Sequence, residues 1–102
     1  MAADQNQNAV ASKVVTPATA KAGAKVHWMK HSEKAKDLNG VIVNVLENGK
    51  LVIEWTWIAS GKTVTEVNDM SRVLEGHLEK GQKAISVPEF LEKNPTAKLS
   101  RF

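Results

Sequence analysis

The sequence predicts an all-β fold, a small closed or partly open barrel of five short strands. Between residues 23 and 76, short runs rich in valine, isoleucine and tryptophan alternate with turns that carry glycine and asparagine. Closure of such a sheet removes the exposed strand edges that promote aggregation. We therefore predict a barrel at 23–76, a flexible basic arm at 1–22 before it, and an extension at 77–102 after it.

The strands follow one another at short intervals. The first run, residues 25–30, places Val26 and Trp28 on one face, and a polar loop at 31–37 follows it. Three further strands are expected at 40–46, 51–58 and 62–67, then a helical turn at 68–71 and a last strand at 72–74.

The hairpin between the second and third strands can be tested by its register. A three-residue turn of Glu47, Asn48 and a left-handed Gly49 sets three valines opposite three large apolar residues. The pairs are Val45 with Leu51, Val43 with Ile53, and Val41 with Trp55. Because a slip of one residue would scatter this apolar face, we predict the three-residue turn.

The two ends of the chain differ from the middle. Residues 1–22 are mostly small or polar, and such a segment buries too little surface to offset its ordering entropy. In the extension, Ser86 and Glu89 have the spacing of a helix N-terminal capping box. We predict a short helix at about 87–93, anchored by Phe90 and Leu91, that covers part of the barrel.

Several motifs carry a family resemblance. They are a glycine-led first strand (Gly23, Lys25, Val26, Trp28), a glycine opening the second strand (Gly40), the third strand at 51–55, and the turn and strand at 70–75. This part of the chain, about 23–76, resembles the small SH3-like β-barrels of the Tudor and KOW type. The resemblance implies binding of nucleic acid, methylated side chains or proline-rich peptides, or docking into a larger complex. Fold alone does not choose among these functions.

Other function classes are disfavoured by what the sequence lacks. With no tyrosine and only three tryptophans, it is poorly suited to a methyl-lysine cage or a proline-peptide groove. The absence of cysteine excludes thiolate chemistry, and no phosphate loop or serine elbow is present. We expect no enzyme activity, no cofactor and no small-molecule substrate.

Metal and membrane sites are also not expected. His27, His31 and His77 lack a defined metal-ligand spacing, so we expect surface histidines. No apolar run approaches the length of a membrane helix, and the N-terminus does not resemble a secretory signal. A cytoplasmic protein without a membrane partner is expected.

Charge is distributed unevenly along the chain. Residues 1–37 carry six lysines and three acids, 38–75 carry three bases and five acids, and 76–102 carry five bases and three acids. A mildly acidic body with basic ends results, and basic segments bind phosphates without sequence preference. The plainer interpretation of the same charges is a solubilising tail.

The candidate contact residues lie mainly on the first strand and the loop after it. They are Lys25, His27, Lys30, His31, Lys34, Lys36, Trp57 and Arg72. Trp55 is expected in the core, and Trp57 either packs at the core rim or forms a partly exposed stacking platform. A solvated loop is the plainer alternative for the basic residues. Our leading hypothesis is an accessory nucleic-acid-binding protein, for DNA or RNA. The alternative is a protein-docking subunit that uses the barrel surface and the arm.

Overall fold

The computed structural model describes residues 13–96, so residues 1–12 of the predicted arm and 97–102 of the predicted extension lie outside the described residues. The strands are β1 (Lys25–Trp28), β2 (Leu38–Val45), β3 (Leu51–Trp57), β4 (Thr63–Asn68) and β5 (Val73–Glu75). A 3-10 turn at Met70–Arg72 precedes β5, and one helix, α1, spans Val87–Lys93. No helix within the described residues is long and apolar enough to cross a membrane.

The five strands form one antiparallel sheet in the order β4-β3-β2-β1-β5. The expectation of five antiparallel strands is confirmed. The sheet is not closed into a barrel, because β4 and β5 lie at its opposite edges and do not pair with each other. The edge strands have three residues in β5 and six in β4, and each pairs with a single named strand.

The β2–β3 hairpin has the predicted turn but a different register further on. Gly49 has φ 86°, its N–H donates to the carbonyl of Leu46, and Val45 lies opposite Leu51. A bulge between Ile42 and Asn44 then shifts the pairing by one residue. The predicted pairs of Val43 with Ile53 and of Val41 with Trp55 are therefore wrong.

The shifted register places different residues in the core. Ile42 lies opposite Ile53, and Gly40 lies opposite Trp55. Val43 is instead 53% exposed. The main core joins these strands to β1 and β5, and its buried members are Val15, Ala20, Val26, Ile42, Leu51, Ile53, Trp55 and Val73.

Residues 13–22, which we predicted as part of a flexible arm, lie against the sheet. Val15 and Ala20 are buried in the main core. The N–H of Val15 donates to the carbonyl of Val73 at 2.8 Å, and that of Glu75 donates to the carbonyl of Lys13 at 2.9 Å. The outer edge of β5 supplies main-chain partners that composition alone does not reveal, and these bonds offset the cost of ordering.

Residues 85–90 of the C-terminal extension pack on the opposite face of the sheet. Ser86 caps α1, since its hydroxyl accepts the N–H of Glu89. Phe90 and Ile85 pack with Met29 and Leu74 in a second apolar cluster. Alternation along β5 explains the two clusters, because Val73 faces the main core and Leu74 faces away from it.

Candidate binding surface

The structure separates the eight predicted contact residues into two groups. Lys25, His31, Lys34 and Lys36 are exposed, and Trp57 is half-buried. His27, Lys30 and Arg72 are buried. The second group does not lie on an open surface, and each of its members makes specific contacts inside the protein.

His27 connects β1 to the chain that follows β5. Its Nδ1–H donates to the carbonyl of Gly76 at 2.8 Å, and the neighbouring His77 donates from Nε2 to the carbonyl of Gly40 at 2.8 Å. Burial lowers the pKa of His27, and positive charge on His77 acts in the same direction. The imidazole of His27 therefore serves as a structural hydrogen-bonding group between β1 and the chain after β5.

Lys30 connects the first loop, residues 29–37, to the C-terminal extension. Its Nζ lies 3.0 Å from Oδ1 of Asp37, and the same oxygen accepts the N–H of Ala84 at 3.1 Å. Main-chain bonds run from Lys30 N–H to the Ile85 carbonyl and from Val87 N–H to the Lys30 carbonyl. With its side chain 4% exposed, Lys30 is a buried ion-pair partner rather than a free cation.

Arg72 lies beneath the end of β1. Its Nε and Nη2 donate to the carbonyl of Met29 at 3.2 and 2.8 Å, and its guanidinium carbon is 4.4 Å from the centre of the Trp28 ring. Burial lowers the pKa of Arg72. Charge alone suggested a surface contact, but the guanidinium is used to position Trp28.

Strand register brings two tryptophans together at one end of the core-facing side of the sheet. Leu38 is opposite Trp57, and His27 is opposite Asn39, so Trp28 is level with Leu38. We call Trp28, Leu38 and Trp57 the tryptophan row; all three are half-buried. Trp28 lies on β1 and Trp57 on β3, and β2 with Leu38 lies between these strands. The backbones of the two tryptophans are therefore about 10 Å apart.

Trp28 is held from two sides within this row. Arg72 stacks on its ring, and Trp55 meets it edge to face with 5.6 Å between ring centres. These contacts reduce the conformational entropy that Trp28 can lose when a ligand binds. The first member of the row is therefore preorganised, although the contact residues predicted from the sequence included Trp57 and not Trp28.

Two segments joined to the end of β3 by main-chain hydrogen bonds carry exposed cationic side chains. The first loop is joined to the end of β3, since the Ile58 N–H donates to the Asp37 carbonyl at 3.2 Å, and it carries the exposed residues His31, Lys34 and Lys36. On the β3–β4 turn, the carbonyl of Lys62 accepts the Trp57 N–H at 2.8 Å, and Lys62 is exposed. Lys62 was also missed; it follows a Ser-Gly turn directly after the tryptophan strand, and that proximity is the signal for it.

A groove lies between the first loop and α1. It is an open groove of about 990 Å³ whose charged lining residues are Lys30, Lys34, Lys83, Glu33, Glu89 and Glu92. Three bases and three acids give the groove no net charge, so it does not favour a phosphate-rich ligand. Within residues 13–96, no three His, Asp or Glu side chains lie close enough to hold a metal ion.

Comparison of the chain with protein-family models, curated proteins and solved structures finds no match.

Proposed function

We propose that this protein is a non-enzymatic binding module that takes single-stranded nucleic acid on the tryptophan row. The observation that carries the proposal is the half-buried pair Trp28 and Trp57 on one sheet face, together with exposed cations on the first loop and at Lys62, two segments hydrogen-bonded to the end of β3. Aromatic platforms stack bases, and each stacked base contributes about 1–3 kcal/mol. Lysines beside the platforms neutralise phosphates.

An SH3-like architecture is part of the proposal. Support comes from the strand order β4-β3-β2-β1-β5 and from the 3-10 turn placed directly before β5. The family resemblance of residues 23–76 points the same way. On this interpretation the first loop and the β3–β4 turn form the rim of one ligand site.

The proposed contact residues differ from those predicted from the sequence. Four of the predicted residues are kept: Trp57, His31, Lys34 and Lys36. Two residues are added: Trp28 and Lys62. Lys25 is exposed but lies opposite Val41, three residues from Trp28 along β1, and is therefore not included. His27, Lys30 and Arg72 support the site from inside through the hydrogen bonds described above.

The test is binding of a labelled oligothymidylate of about 12 nucleotides, followed by fluorescence anisotropy at several salt concentrations. The double variant K34A/K36A should bind more weakly, and its salt slope should fall by about 1.4, since each single-strand phosphate contact contributes about 0.7. The matched control is K21A/K50A, which removes two exposed lysines that precede β1 and β3, at the ends of these strands opposite Trp28 and Trp57.

A stacking variant completes the experiment. Trp57→Ala should weaken binding at least fivefold at every salt concentration, because stacking does not depend on counterion release. Equal losses in K34A/K36A and K21A/K50A would indicate non-specific attraction. Absence of binding at low salt would overturn the proposal.

A protein-docking function is the second candidate, and Ile58 favours it. This residue is 46% exposed and directly follows Trp57, and its exposed aliphatic side chain is suited to contact with an apolar peptide. Ile58→Ser would weaken a peptide ligand while leaving oligothymidylate affinity unchanged. Salt dependence separates the two functions further, because burial of apolar surface responds little to ionic strength.

A further inference from the structure

One edge of the sheet is covered by another segment of the chain, and the other edge is not. At the β5 edge, Val14 forms a bridge with Leu74, and residues 13–15 cover the strand. At the other edge, β4 pairs with β3 alone and has no neighbour on its outer side within residues 13–96. An uncovered edge is a template for a further strand.

β4 lacks the features that usually protect an edge. Its register with β3 continues without a bulge over all six residues, and it contains no proline. Its sequence TVTEVN has a single charge, Glu66, and is rich in β-branched residues. Val67 is 53% exposed. Such a strand is well suited to β-augmentation.

A hydrogen bond in the β3–β4 turn shows which main-chain groups of β4 point away from the sheet. The carbonyl of Lys62 accepts the Trp57 N–H, so residue 62 faces β3, and residues 64, 66 and 68 do the same by alternation. The N–H and C=O groups of Thr63, Thr65 and Val67 therefore point away from the sheet.

We infer that β4 pairs antiparallel with β4 of a second copy of this chain, about a two-fold axis through Thr65. This register sets Thr65 opposite Thr65 of the other copy and Thr63 opposite its Val67. It uses all three outward-facing residues of each strand, in six main-chain hydrogen bonds. No like charges face each other across it.

The neighbouring registers are less favourable. An axis through Glu66 brings the two Glu66 carboxylates directly opposite each other, where like charges are destabilising. It also leaves the outward-facing Thr63 without a partner inside β4. An axis through Val64 leaves Val67 without one. In the Thr65 register, β4 is therefore complementary to a second copy of itself in both charge and hydrogen bonding.

The expected dimer is weak, because three pairs of residues bury little area. A dissociation constant on the order of 0.1 mM is expected, which sedimentation equilibrium from about 10 µM to about 1 mM detects. Thr65→Lys places two ammonium groups opposite each other, and Thr65→Glu does the same with carboxylates. Each variant alone should remain monomeric, and an equimolar mixture should recover the dimer.

The control pair is Val43→Lys and Val43→Glu. Val43 is as exposed as Val67 but lies at the β2 bulge rather than at the edge, so these variants should dimerise like the parent protein. Circular dichroism verifies that every variant is folded. A parent protein that is monomeric at 1 mM, or a dimer that both Thr65 variants retain, would overturn the inference. Oligothymidylate binding by monomeric Thr65→Lys is measured separately and tests only the proposed function.

Discussion

Met29 and Arg72 are joined by hydrogen bonds in both directions. The N–H of Met29 donates to the Arg72 carbonyl at 3.1 Å, and the Arg72 guanidinium donates twice to the Met29 carbonyl. Both residues are buried, at 0% and 4% exposure. A buried cation here connects the end of β1 with the turn before β5, and stacking on Trp28 links the same group to the tryptophan row.

Arg72→Lys should therefore reduce stability although it keeps the charge. An ammonium group cannot make the forked pair of bonds to Met29 or stack as a plane on Trp28. We expect a loss of about 1.5–3 kcal/mol in the free energy of unfolding, measured by urea denaturation. Lys25→Met, at an exposed position, is the control and should change stability by less than about 0.5 kcal/mol. A fully stable Arg72→Lys protein would contradict the structural role.

The hairpin illustrates what the sequence can and cannot predict. The turn at Gly49 depends on local chemistry, and it was predicted correctly with its first pair. The bulge at Val43 depends on a contact across the strands: a β-carbon at position 40 would lie 2.6 Å from Trp55. Only glycine fits under that ring, so the register shifts until Gly40 rather than Val41 faces Trp55. No local pattern carries this information.

Gly40→Ala tests this explanation. Its methyl group would also meet the Ile53 side chain at 2.7 Å, so we expect a loss of about 3 kcal/mol or more in unfolding free energy. Gly49→Ala provides a contrast, because that site is sterically open and only its φ of 86° is unfavourable, at a cost of about 1–2 kcal/mol. If Gly49→Ala proves the more damaging, the steric account of the bulge is wrong.

The candidate site was predictable only in part, for a related reason. Composition identified the cationic loop and Trp57, since both are local features. Burial of Lys30 depends on Asp37, whose carboxylate is held in turn by Ala84, 47 residues along the chain. The tryptophan row needs the registers of three strands at once. Contacts between residues far apart in the sequence determine which charged side chains are exposed, and a count of charges along the sequence does not reveal those contacts.

The Lys30–Asp37 pair gives a third prediction. Asp37→Asn keeps an acceptor for the Ala84 N–H but leaves the buried ammonium without its counter-charge, so we expect a loss of roughly 3 kcal/mol. Lys30→Met combined with Asp37→Asn should recover most of it, because no buried charge remains. A double-mutant cycle followed by urea denaturation measures the coupling. If the losses of the single variants Lys30→Met and Asp37→Asn simply add in the double variant, the two side chains are not coupled.

The last prediction concerns acid stability. Burial lowers the pKa of His27 below its ordinary 6.5, so between the folded and unfolded values the unfolded chain binds more protons than the folded protein. The stabilisation is complete above pH 6.5 and declines as the pH falls through 6.5 toward the folded pKa. The slope can reach about 1.4 kcal/mol per pH unit for one such proton.

His27→Asn removes the titrating group while its amide can still donate to the Gly76 carbonyl. Urea midpoints of this variant should fall less between pH 7.5 and 5.5 than those of the parent protein. His31→Asn, at an exposed loop position, is the control and should keep the parent's pH dependence. If His27→Asn loses stability with acid as steeply as the parent, another group is responsible, and direct titration of the His27 ring protons by NMR would then show a pKa at or above 6.5.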